Sequence, residues 1–174
     1  MSENHVSQMG GGLCASPVDP AELRRALGRF ATGVTVVTTR VPSGWMVGLT
    51  VNSFSSVSLD PPLILWSVNR SSSSLAAFQE AGRFAVNVLS EHQRGMAENF
   101  CANVSNRFEG IPHESGMLNV PLLPEALAWF ECRTVSELNG GDHIILVGEV
   151  VEFGYHDDRP LLYYGGRFSV LDRQ

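Results

Sequence analysis

Positive charge is scarce in this 174-residue chain: Lys and Arg together number 12 against 18 Asp and Glu, a formal net charge of -6. Nucleic acid and anionic membrane surfaces both need clustered Lys and Arg on one face, so the balance argues against either partner. No apolar run approaches the roughly 20 residues that cross a bilayer. The opening MSENHVSQMGGG also lacks the basic and apolar regions of a secretory signal. A cytoplasmic location is expected.

Cysteine is equally thin. Cys14, Cys101 and Cys132 are odd in number and far apart, which fits neither a disulfide framework nor the close Cys and His pairs of a zinc site. They read as small buried apolar residues or, near the N-terminus, a free thiol. His5, His92, His113, His143 and His156 have no metal-ligand spacing, so no metal is expected. A Rossmann glycine fingerprint, a P-loop and a nucleophile elbow are all missing. Any nucleotide phosphate must therefore be met in another way, and a hydrolase is disfavoured.

Apolar residues make up 44% of the chain, enough at this length for one domain with a real core. That domain is expected over 19–174, after a polar, Gly-rich, flexible tail over 1–18. Asp19, Pro20 and Glu22 stand as N-cap, first-turn proline and capping-box carboxylate ahead of Leu23, Ala26, Leu27 and Phe30 at helical spacing. Strands are predicted at Val34–Thr39, Trp45–Val51, Ser53–Ser58, Leu63–Ser67 and Phe84–Leu89. Ala128–Leu138 and Ile144–His156 are the long strands expected to close the sheet. Ser71–Ser74 precede Leu75–Phe78, so a serine can cap a short helix, and Glu91–Phe100 has helical composition. Cys101–Pro124, rich in Asn, Gly and Pro, reads as an excursion over the surface. Strands do not alternate regularly with helices, which favours a mainly β, mostly antiparallel barrel with a few helices over a doubly wound fold.

The stretch GLTVNSFSSVSLDPP (Gly48–Pro62) packs small and hydroxyl residues into a strand and turn, where backbone amides can approach a flat polar ligand. Ser and Thr also fill edge strands and turns for ordinary reasons. The neighbouring blocks decide between the two. RFATGVTVVTT (Arg29–Thr39), PPLILWSVNRSSSS (Pro61–Ser74), GRFAVNVL (Gly82–Leu89), GDH (Gly141–His143) and RPLLYYGGRF (Arg159–Phe168) follow in one order. Together these blocks resemble the short flavin reductases that supply reduced flavin to two-component monooxygenases, from about Pro20 to the C-terminus.

The resemblance implies a split β-barrel (the FMN-binding split barrel) working as a homodimer. It implies FAD or FMN as hydride acceptor, NADH as donor with NADPH possible, and a separate oxygenase that receives the reduced flavin. It carries Met46, Val47, Gly48, Leu49, Thr50, Asn52 and Ser53 onto the isoalloxazine and ribityl chain, with Thr50 and Asn52 on one face. Ser67, Val68 and Asn69 match a second flavin contact, and Asn99 with Phe100 a third. Ser73 and Ser74 match the phosphate site, where Arg70 could add charge; without the resemblance they are caps on a surface helix. His143 matches the catalytic residue that helps hold the nicotinamide, together with Tyr163, Tyr164, Gly165 and Gly166. Read alone, His143 is a packed strand histidine, and the tyrosines are one buried and one exposed ring. Val51 and Phe168 depart from the family's usual small residue and Tyr. Arg159 or Arg167 could meet the extra phosphate of NADPH. Two rival readings are a split-barrel flavoprotein that keeps its flavin and reduces a bound organic substrate, and a flavin-binding module without catalysis.

Overall fold

The computed structural model describes residues 18–172. All but the last residue of the expected tail, and Cys14 with it, lie outside them. The chain runs α1 (Pro20–Leu27), β1 (Thr32–Gly33), β2 (Thr35–Arg40), β3 (Met46–Val51), β4 (Ser55–Leu59), β5 (Pro62–Asn69), α2 (Leu75–Ala81) and β6 (Arg83–Val88). A 3-10 turn at Glu91–Gln93 leads into α3 (Arg94–Cys101). There follow β7 (Glu114–Ser115), β8 (Pro121–Leu122), β9 (Ala128–Gly140), β10 (His143–Tyr155), β11 (Leu162–Tyr164) and β12 (Arg167–Ser169). Among the described residues no helix is long and apolar enough to cross a membrane.

Seven strands form one antiparallel sheet in the order β3-β2-β6-β9-β10-β5-β4, and β1, β11 and β12 form a smaller one. The fold is mainly β with few helices, as the sequence predicts. The long pair β9 and β10 occupies the middle of the large sheet rather than closing it. Its two ends, β3 and β4, are consecutive in sequence and do not pair, so hydrogen bonding leaves the expected barrel open.

Alternation along β2 shows why it is buried along nearly its whole length and carries no charge before Arg40. Val37 packs into a cluster with Trp66, Phe78, Phe84 and Leu146, whereas Val36 packs into a second cluster with Leu89, Phe100, Phe108 and Leu161. Successive side chains leave a strand on opposite faces, so a strand covered on both sides reads as a continuous run. Trp66 meets Phe78 and Phe84 edge to face, with centroids 4.8 and 5.7 Å apart. Burial pushes the Cys132 thiol in the first cluster up to about 12, with the neighbouring Glu131 adding to the effect.

Three local expectations change. Asp19 does cap α1 by accepting from the Ala21 amide at 2.8 Å, but Glu22 pairs with Arg25 at 2.6 Å instead of completing a capping box. No residue of α1 is buried, so its apolar side finds no cover within the described chain. The excursion 101–124 is not confined to the surface, because Phe108, Val120 and Leu123 are buried.

Buried polar groups pull it inward. The Asn87 amide donates to Val36 O (3.0 Å) and Thr38 Oγ1 (3.2 Å), and its oxygen accepts from the Leu123 amide at 2.9 Å. Thr38 Oγ1 donates to Pro121 O at 2.5 Å. Further along, the buried Glu131 carboxylate accepts from the amides of Met117 (2.8 Å) and Leu118 (2.6 Å). An Asn87→Leu substitution leaves the Leu123 amide and the Val36 carbonyl buried without these partners. It should cost about 2–3 kcal/mol of unfolding free energy, read from urea denaturation.

Candidate functional site

The decisive geometry is the unpaired edge of β3. The Val41 amide donates to Trp45 O at 3.0 Å, which sets Trp45, Val47, Leu49 and Val51 as the residues bonded towards β2. In an antiparallel pair the intervening residues turn their backbone groups the other way. Met46, Gly48 and Thr50 therefore present N–H and C=O to the open edge, where Gly48 O accepts from Arg107 Nη1 at 3.1 Å. The side chains of Met46 and Thr50 and the bare Cα of Gly48 face α3, while Val47, Leu49 and Val51 pack against the Trp66 cluster.

Two cavities flank this edge. One of about 510 Å³ is lined by Leu49, Thr50, Asn52, Ser53, Ser67, Val68, Asn69 and His143, together with Val51, Gly140 and Ile145. The other, about 220 Å³, is lined by Met46, Val47, Gly48, Ser73, Ser74 and Arg107, among others. A third, about 200 Å³, brings Tyr163 and Phe168 beside Thr50, Asn52 and Cys101. Asn52 and Tyr163 recur in a fourth, and Gly165 and Gly166 lie beyond. Most of the residues singled out in the sequence thus line adjoining cavities.

Several do so in ways the sequence hides. The Ser53 hydroxyl donates to Ser67 O (3.1 Å) and accepts from Ser67 N (2.9 Å), bridging the gap between β3 and β5. The Thr50 hydroxyl donates to Ala97 O at 2.8 Å, which ties it to α3, and Thr50 lines two of the cavities together with Asn52. Asn52 makes no side-chain hydrogen bond among the described residues and lines three of the cavities. Asn69 Oδ1 accepts from both the amide and the hydroxyl of Ser71, at 2.8 and 2.6 Å. Ser74 makes no side-chain cap for α2; Ser72 Oγ accepts from the Ser74 amide instead, at 3.2 Å.

Phe100, Asn99 and Tyr164 line none of these cavities. Phe100 is fully buried beneath Gly48, where a Cβ would stand 2.3 Å from its ring. The glycine is thus demanded by packing from below as well as by the open edge above. Asn99 Nδ2 donates to Arg107 O at 2.7 Å and so fixes the loop that carries the arginine. Arg107 itself was missed, since it sits in the irregular excursion with no motif around it. Its Nε donates to Ala102 O (2.8 Å), and Nη1 lies 3.3 Å from Ser74 Oγ. Arg70, considered for the same anion, instead bonds Gly141 O (2.9 Å) and Asn139 Oδ1 (2.5 Å) and clamps the β9 to β10 turn. Arg159 is engaged by Glu91 at 3.4 Å and by Leu171 O.

His143 opens β10, opposite Asn69 of β5. Its Nδ1 lies 2.7 Å from Asp142 Oδ1. The imidazole holds the Asp142 carboxyl below the usual carboxylate range, first by the hydrogen bond and then by its charge. The carboxylate is an acceptor only, so Nδ1 carries the hydrogen and Nε2 is left without a partner among the described residues. The depressed acid makes this contact present above the ordinary Asp pKa and lost as pH falls through the lower one. Among the described residues no cluster of His, Cys, Asp and Glu could hold a metal ion.

The family described as flavin reductase like domain matches residues 27–172. The chain belongs to the flavin reductase family. An FMN reductase (NADH) of Agrobacterium fabrum is 45% identical over 174 residues, covering 100% of this chain and 95% of that one. The reductase subunit of a flavin-dependent monooxygenase from Rhodococcus jostii is 37% identical over 163 residues, covering 93% and 83%. Other curated relatives are longer, and the chain spans 45% of the length of one of them. The solved structure of an NADH:FAD oxidoreductase from Streptomyces globisporus superposes with a TM-score of 0.85 at 35% identity, over 91% of this chain and 96% of that one. The same Streptomyces protein has been solved in complex with NAD and FAD fragments.

For this flavin reductase the close fit at Gly48 is testable. Gly48→Ala drives a methyl into the Phe100 ring and should cost about 1–3 kcal/mol, as overpacking does. Trimming the ring in the double variant Gly48→Ala with Phe100→Leu should return part of that loss in thermal unfolding.

Proposed function

We propose that the chain is an NADH-dependent flavin reductase that reduces FAD or FMN and passes the reduced flavin to a separate oxygenase component. The observation that carries the reading is the pair of cavities along the unpaired edge of β3. They combine outward backbone N–H groups with a lone cation, Arg107, at one end and His143 at the other. A flat, hydrogen-bonding ring with a phosphate on its side chain matches that distribution. The names of the relatives support the reductase and, for the Rhodococcus protein, an oxygenase partner.

The flavin and the nicotinamide supply the chemistry, a hydride passing from nicotinamide C4 to flavin N5. The protein's share is placement. The N–H groups of Gly48 and Thr50 and the amide of Asn52 hold the ring edge. Arg107 with Ser73 and Ser74 holds the phosphate. His143, oriented by Asp142, holds the nicotinamide with Tyr163. Hydrogen bonds fixed in advance at the ring edge favour the charge that develops on reduction without reorganisation. NADH is the favoured donor and NADPH the alternative, with Arg167 on β12 the remaining arginine for its extra phosphate.

The split barrel of the family is the form this open sheet would take, and a homodimer accounts for its exposed apolar ends. Leu59 on β4 and Phe153 and Tyr155 on β10 are exposed at the same end of the sheet, where Leu59 pairs with Pro62 and Glu149 with Leu63. A second copy covering them would appear as a dimer mass in solution.

The direct test follows NADH oxidation at 340 nm by flavin-free protein with and without FAD or FMN. A rate that rises and saturates with added flavin is expected. Purified protein that is yellow and turns over only with an organic substrate would favour a flavin-retaining enzyme, and no turnover a binding module. His143→Ala should raise the NADH KM or slow hydride transfer, with the flavin Kd nearly unchanged; a weakened flavin Kd would move His143 to the flavin site.

A further inference from the structure

Helix α3 touches both halves of the site. Its middle meets β3, since Ala97 O accepts from the Thr50 hydroxyl at 2.8 Å and the Phe100 ring fills the space beneath Gly48. Its first residue, Arg94, reaches the other half. The guanidinium carbon of Arg94 lies over the Phe168 ring, 5.8 Å from the centroid. Arg94 Nε also bonds Glu98 Oε1 one turn along the helix at 2.9 Å, which steadies the guanidinium.

Phe168 passes the contact on. It stands opposite Tyr163 in the pair of β11 and β12, and the two rings meet edge to face with centroids 5.6 Å apart at 69°. Both rings pack against the second core cluster. Both also line the cavity of about 200 Å³ whose other wall is Thr50, Val51 and Asn52 at the end of β3.

The backbone under this aromatic pair is short. β11 and β12 have three residues each, and β12 is an edge strand. Main-chain bonds tie the small sheet to the large one at Leu161, whose amide donates to Leu89 O at 3.0 Å and whose carbonyl accepts from the Val34 amide at 3.2 Å. The next tie is at the turn beyond, where the Gly165 amide donates to Gly28 O at 2.9 Å. Between them, side-chain packing sets the Tyr163 ring, and Phe168 is the aromatic neighbour that α3 reaches. Hydride transfer needs reacting atoms held about 3–3.5 Å apart, so the spacing between Tyr163 and β3 has to be fixed. One helix bonded to both sides can fix it.

We propose that Arg94 is a positioning residue for the nicotinamide, acting through Phe168 on Tyr163. It lines none of the cavities described above, so its effect is relayed. A cation over an aromatic face restrains that ring, and the restrained ring of Phe168 restrains Tyr163. The inference rests on the flavin reductase reading, which places the nicotinamide at Tyr163. Its chemical requirement is a cation at position 94 and an aromatic ring at position 168. The competing account is that Arg94 is only half of an exposed ion pair with Glu98, which adds a little stability and nothing to binding.

The test is a double-mutant cycle on the full-length protein, made of Arg94→Gln, Phe168→Leu and the two combined, with Arg94→Lys as the conservative variant. Dissociation constants for NADH, FMN and FAD are read by titration, and melting temperatures alongside. Arg94→Gln should raise the NADH Kd about two- to fivefold and leave the flavin Kd values unchanged. Arg94→Lys keeps the cation and should restore most of the NADH affinity. In the Phe168→Leu background Arg94→Gln should change the NADH Kd no further, because the relay is already cut. An NADH Kd that Arg94→Gln leaves unchanged, whether or not the melting temperature falls, overturns the proposal. So does an effect of equal size with and without the Phe168 ring. These titrations read binding alone, so they decide the role of Arg94 even if the wild-type protein fails the NADH oxidation assay, a failure that counts against the reductase reading itself.

Discussion

The rest of the structure depends on one unformed set of hydrogen bonds. β3 and β4 follow one another in sequence and stand at opposite ends of the same sheet, yet nothing zips them together. An unpaired strand edge is ordinarily a hazard, because its free N–H and C=O groups invite another strand. Here the gap is bridged by the hydroxyl of Ser53 on the backbone of Ser67, and the Gly48 carbonyl is met by Arg107. What remains open is a slot with backbone donors along one wall.

The surrounding packing keeps that slot rigid. Phe100 fills the space beneath Gly48, and Thr50 is tied to α3 through Ala97, so the strand cannot slide on the helix. The excursion that carries Arg107 is drawn in by Asn87, Thr38 and Glu131, buried groups whose partners are backbone amides or carbonyls. Each such group carries a desolvation cost unless its bond is made, so the loop's position is fixed by the cost of leaving it. Nearer the slot, the cation itself is placed by Asn99 on its carbonyl and by its own bonds to Ala102 O and Gly48 O.

Electrostatics then divides the site. His143 and Asp142 sit at the turn between β9 and β10, braced from β5 by Arg70. Arg107 stands in a separate cavity beside Ser73 and Ser74.

By itself the sequence determined most of the longer strands, the N-cap of α1 and the mainly β class. These follow from local signals: alternation, β-branched runs, turn residues and short blocks such as GDH, whose geometry is set by neighbours in the chain. It also misread the long β9 and β10 as closing strands, did not show Phe100 buried beneath Gly48, and named Arg70 while passing over Arg107. Those errors share a cause. Strand order, the burial of Val120 and Leu123, and the meeting of Arg107 with Ser74 join residues about 30 or more positions apart, through bonds whose partners no local pattern names. Only the tertiary structure decided which arginine reaches the slot, because the bond from Asn99 to Arg107 O and those from the guanidinium to Ala102 O and Gly48 O, which no local pattern names, set where it lies.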